Sequence, residues 1–97
     1  MKLGRGYRLC EGAQIPTRPT TIVEIMSHPS FVLGVADARA GRGYHKDYDL
    51  WTGNMQWCYE RARQWAALTP KNVPLKLDGK INPNAVAWYA RHRDDII

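Results

Sequence analysis

Arginine, tyrosine and glycine recur together in this sequence, a combination suited to contact with nucleic acid. Gly-Arg-Gly-Tyr occurs twice, at Gly4–Tyr7 and Gly41–Tyr44. Glycine lets a backbone approach a ligand closely, arginine pairs with phosphate through a planar fork of donors, and tyrosine offers a face on which a base stacks. The same residues also read as glycine-rich breakers, the second copy standing where a helix would be capped. Neither is a P-loop, which ends in Gly-Lys followed by Ser or Thr. A second group is Tyr59, Arg61, Arg63 and Gln64 with Trp57. It reads as an exposed aromatic-and-arginine surface, of the kind that makes hot spots for nucleic acid by stacking and for protein by burial. The competing reading packs Trp57 or Tyr59 on a neighbouring helix. With Lys71, the candidate binding set is Arg5, Tyr7, Arg8, Arg42, Tyr44, Trp57, Arg61, Arg63 and Lys71.

Signals for catalysis or metal binding are weaker. His28, His45 and His92 lie in three separate segments, without the one-turn spacing of a helical ligand pair. His45, Asp47 and Asp49 are near neighbours and read as a solvated loop. Cys58 falls on an apolar stripe and reads as a small buried hydrophobe rather than a nucleophile. Cys10 and Cys58 are too far apart in the chain for a zinc site and too few for a disulfide framework. The expectation is a protein with no enzymatic activity, no metal and no cofactor.

Charge and size set the class of partner. The chain has 97 residues, a net charge of +5 and a pI near 9.5, which point to one domain and an acidic partner. Basic charge also simply keeps a small protein in solution. The positive field has two sources: Lys2, Arg5, Arg8 and Arg18 near the start, and Arg61, Arg63, Lys71, Lys76 and Lys80 later. No run of residues resembles a signal peptide's apolar core or approaches a membrane span, and a cytoplasmic setting is expected.

The elements that would position these residues centre on Trp51–Leu68. Trp51, Met55, Cys58, Ala62 and Trp65 recur every three or four residues, a continuous apolar stripe on a helix capped by Thr52 and stopped by Thr69-Pro70. Upstream, Thr21 and Glu24 have the spacing of a capping box over a short helix 22–27. Pro29 then forces a break and opens a second helix, with Phe31, Gly34, Val35 and Ala38 on one face, Asp37 and Arg39 facing away, and Gly41 and Gly43 as the stop. The polar loop 42–50 should return the chain as an antiparallel helical hairpin. Val73–Leu77, Asp78-Gly79 and Lys80-Ile81 read as a two-stranded β-hairpin, with Pro74 confining the first strand to an edge. Asn82-Pro83 starts a last helix with Ala85, Trp88, Tyr89, His92 and Ile96 inward; Asp94 and Asp95 should fray its end, against the dipole. Residues 1–20 read as an extended basic arm with a short strand near Tyr7–Cys10, packed along the domain, reaching to a partner, or a disordered tail. The predicted fold is a mainly α (small α+β) domain over 1–97: arm 1–20, helical hairpin 21–69, β-hairpin and C-terminal helix 70–97.

Residues 31–66 resemble the ribosome modulation factor family, short basic proteins of two helices joined by a loop. The matching positions are Gly34, Ala40-Gly41-Arg42, Tyr48 and Gln56-Trp57. The family's Cys-Pro-Tyr loop is here Lys46-Asp47-Tyr48, the second tryptophan of its helical pair is Arg61, and the arm and tail have no counterpart. The resemblance implies contact with ribosomal RNA and no catalysis. Together these features predict a small binding protein that docks on RNA or a ribonucleoprotein. The alternative is a phage- or mobile-element-encoded inhibitor that blocks a host nucleic-acid-handling or defence complex, in the manner of an anti-CRISPR protein. A third reading is a subunit that assembles with its own copies.

Overall fold

The computed structural model describes residues 21–96, and the arm with Arg5, Tyr7, Arg8 and the first Gly-Arg-Gly-Tyr lies outside them. The protein is mainly helical: α1 (Ile22–Ser27), α2 (Pro29–Arg39), a 3₁₀ turn (Tyr48–Leu50), α3 (Gly53–Leu68), β1 (Lys76–Leu77), β2 (Lys80–Ile81) and α4 (Pro83–Arg91).

Local sequence explains most boundaries. The Thr21 hydroxyl accepts from the Glu24 N–H while the Glu24 carboxylate accepts from the Thr21 N–H, closing the capping box on α1. His28, extended because Pro29 follows, ends α1 and caps α2 with its own ring: Nδ1 accepts from the Ser30 N–H at 3.2 Å. Thr52 caps α3 by accepting from Met55 N–H. Asp78 and Gly79 both have positive φ, the two-residue turn that suits a right-twisted hairpin. Lys76 pairs with Ile81 and Leu77 with Lys80. The first strand is shorter than predicted: Val73 and Leu75 are buried in the core instead, and Pro74 has no N–H to give a ladder.

α2 and α3 form the main interface. Gly34 marks their closest approach, since a Cβ there would lie 2.7 Å from the Ala62 Cβ and from the Tyr59 carbonyl oxygen. Phe31 packs between Trp65 and Tyr89, with ring centroids 6.2 and 6.3 Å away. The buried Trp65 N–H donates to the Ala85 carbonyl at 3.2 Å, tying α4 to the hairpin. Met26, Cys58, Val73, Leu75 and Ile96 complete the core.

Two expectations are corrected here. Trp51 is not on the α3 stripe: the helix begins at Gly53, and Trp51 packs on Tyr59 and His45. Asp37 does not face away but is buried at 4% exposure. α4 ends at Arg91, before Asp94 and Asp95, yet Ile96 turns back and is buried.

Candidate nucleic-acid interface

The second Gly-Arg-Gly-Tyr begins as a helix cap. Gly41 has φ +74°, its N–H bonds to the Ala38 carbonyl, and the Arg42 N–H bonds to the Asp37 carbonyl at 2.8 Å. This is the Schellman arrangement, whose left-handed residue favours glycine. It turns the chain so that the Arg42 side chain comes back over the last turn of α2, where Nε donates to Asp37 Oδ1 at 2.9 Å.

Asp37 is the anchor of the loop. Its other oxygen accepts from the Tyr59 hydroxyl at 2.6 Å. Burial pushes its carboxyl pKa up, but the hydrogen bonds from Tyr59 and Arg42 and the Arg42 charge outweigh burial and hold it below the usual range. Tyr59 is fully buried, and burial together with its bond to Asp37 raises its own pKa. Its oxygen also accepts from the His45 N–H at 2.9 Å, so one phenol fixes α2, α3 and the loop together.

Most of the loop is exposed, as expected, but its rings pack together. Tyr44, Tyr48, Trp51 and Tyr59 form an aromatic cluster, with Tyr44 to Tyr48 at 4.9 Å and Trp51 to Tyr59 at 5.2 Å, both edge-on. The Tyr48 hydroxyl donates to Glu60, and the Gln56 side-chain amide donates to the Tyr48 carbonyl. His45 Nδ1 accepts from the Asp47 N–H at 3.0 Å, which closes a local turn.

Arg63 staples this loop from α3. It donates to the Arg42 carbonyl at 2.8 Å and the Gly43 carbonyl at 3.3 Å, and lies 5.0 Å from the Tyr44 ring centroid. These partners are neutral, so its charge is oriented but not cancelled. Arg39 sits deeper. It donates to the Pro70 carbonyl at 3.2 Å and lies over the Trp65 ring at 5.0 Å, while its buried Nε has no hydrogen-bond partner. Burial disfavours its charged form and lowers its pKa.

Arg39, Arg42, Arg63 and the exposed Lys71 line one cleft of about 590 Å³ beside the α2–α3 pair. No carboxylate lines it among the described residues, and of the four cations only Arg42 has a carboxylate partner there. The C-terminal turns of α2 and α3 border the cleft and oppose the field, by roughly half a charge each. With Asp37 offsetting Arg42, about two positive charges remain.

The predicted residues thus divide. Arg42, Arg63 and Lys71 meet in the cleft, and Tyr44, 56% exposed, stands beside it under Arg63. Trp57 and Arg61 lie elsewhere: Arg61 stacks on Trp57 at 4.0 Å and donates to the Ile96 carbonyl at 2.7 Å, holding the chain end. Tyr59, read as part of that surface, is instead the buried link between helices and loop. Arg5, Tyr7 and Arg8 are among the residues not described. Sequence reasoning missed Arg39, Asp37 and Thr69. The loop cluster did leave a trace, since Tyr44, Tyr48 and Trp51 recur every three or four residues as core residues do.

Cys58 is fully buried, and among the described residues no three metal-ligating side chains come together. None of the described helices is long and apolar enough to cross a membrane. The chain matches no protein-family model, no curated protein and no solved structure.

Proposed function

We propose that this chain is a small, non-enzymatic, cytoplasmic binding protein that docks on RNA or a ribonucleoprotein through the cleft beside the α2–α3 pair. The observation that carries this is the set of three cations, Arg39, Arg63 and Lys71, in one cleft with no carboxylate among its lining residues. A cation held by neutral carbonyls keeps its full attraction for phosphate, and the buried Asp37–Tyr59 link fixes the loop that presents Tyr44 and Arg42. Exposed tyrosine beside arginine suits stacking on an unpaired base. The resemblance to the ribosome modulation factor family supports ribosomal RNA as the partner, because its glycine-arginine and tyrosine positions fall in this loop.

The test is binding of a labelled single-stranded RNA over a range of salt. Two or three neutralised phosphate charges predict a log–log slope of about −1.5 to −2. A flat response overturns the reading. Capture from lysate of a protein complex that survives nuclease and moderate salt would replace it with the inhibitor reading, in which an acidic protein surface meets the same cations.

A further inference from the structure

We infer that the cleft is a site for a phosphate monoester, at a strand end or on a free mononucleotide. This deepens the proposed function and rests on the cleft being phosphate-binding. Arg39, Arg63 and Lys71 all line one half-open cleft, so a single anionic group placed there meets the field of all three. A monoester carries close to two negative charges at neutral pH, against one for an internal phosphodiester, and about two positive charges remain in the cleft. Two lining residues hold unmet hydrogen-bonding capacity just beneath the wall: Arg39 Nε and the Thr69 hydroxyl are buried without a partner, Thr69 being 4% exposed. Buried polar groups without partners are costly, and a multi-oxygen anion supplies acceptors.

The size of the cleft adds to this. About 590 Å³ exceeds what one phosphate fills. Ala38, Ala66, Ala67 and Pro70 line the remainder with small apolar surface. That surface suits the sugar of an attached nucleoside, with the charged group toward the three cations.

The experiment compares two short single-stranded RNAs of one sequence, with a 5′-phosphate or a 5′-hydroxyl, binding the full chain at fixed moderate salt. Inorganic phosphate and a nucleoside 5′-monophosphate are titrated separately while the backbone amide signals of Thr69 and Lys71 are followed by NMR. The phosphorylated strand should bind about tenfold tighter, the factor given by roughly 1.4 kcal/mol of charge-assisted hydrogen bonding. Lys71→Gln, at an exposed position that should not disturb folding, should erase most of that preference, and Lys80→Gln on the β-hairpin should not, although it removes the same charge. Thr69→Val, which removes the unpartnered hydroxyl, should reduce the preference as well. Equal, salt-dependent affinity for the two strands, with no amide shift from either small ligand, overturns the inference and leaves RNA docking intact. Amide shifts from the monophosphate with no binding of either strand keep the site, assign it to a free nucleotide, and overturn RNA docking.

Discussion

Tyr59→Phe tests how the cleft is held. The substitution keeps the ring, and with it the edge-on packing against Tyr44 and Trp51, and removes one oxygen. That oxygen donates to buried Asp37 at 2.6 Å and accepts from the His45 N–H at 2.9 Å. A hydrogen bond to a charged group contributes about 1.5–3 kcal/mol, and a half-buried N–H left without an acceptor costs somewhat less. The expected loss is about 2–3 kcal/mol, a large share of the ~5–15 kcal/mol typical of a domain. With a urea slope of about 1.5 kcal/mol per M, the midpoint should fall by about 1.3–2 M, read by tryptophan fluorescence. The pH dependence carries its own sign. The Asp37 pKa is lowered on folding, so its contribution is present above the unfolded value of 3.8 and is lost as pH falls through the folded value. In the variant one of the bonds that lowers this pKa is gone. The gap between the two proteins should therefore narrow as the pH is taken below about 4. A loss under about 0.5 kcal/mol at neutral pH, or a gap that does not change with acid, would refute the anchor.

Other perturbations probe separate links. Gly34→Val should destabilise the helical hairpin by more than about 2 kcal/mol in a urea titration, because even a Cβ meets Ala62 and the Tyr59 backbone at 2.7 Å. Asn82→Ala should cost about 1–2 kcal/mol by the same assay, since its side chain caps α4 at Asn84 N–H and donates to the Pro74 carbonyl. His28 has a pKa lowered by burial from 6.5, so folding favours its neutral ring and stability should fall as pH drops below that value toward the lower folded one; His28→Asn, which caps without titrating, should flatten that slope in thermal melts. Arg63→Gln should weaken RNA binding and reduce the salt slope by about 0.7, whereas Arg61→Gln should leave the slope unchanged while lowering stability.

The sequence by itself determined the elements, because their signals are local. Thr21 with Glu24, Pro29, Thr52, Asp78-Gly79 and Asn82-Pro83 each act on backbone groups within a few residues, so their order in the chain is enough to read them. The apolar spacing of α3 likewise announced a buried face with Cys58, Ala62 and Trp65 on it. Arg42, Arg63 and Lys71 were recognisable as cations with a plausible task, but nothing local says that they share a cleft.

Tertiary structure alone decided what became of the polar residues beside that face. Tyr59 and Asp37 are individually surface-like choices, and each is buried only because the other satisfies it across the helix interface. A pair like this is invisible to periodicity, since neither helix contains both partners. Arg61 and Arg63 are separated by one residue on α3, yet one closes on the chain end and the other on the loop, because residues two apart on a helix point to different faces. Arg39 lines the cleft while reaching from the end of α2 to the Pro70 carbonyl just past α3, a contact that only their packing creates. The cleft is thus a property of how α2 and α3 meet, and charge in the sequence supplied only its raw material.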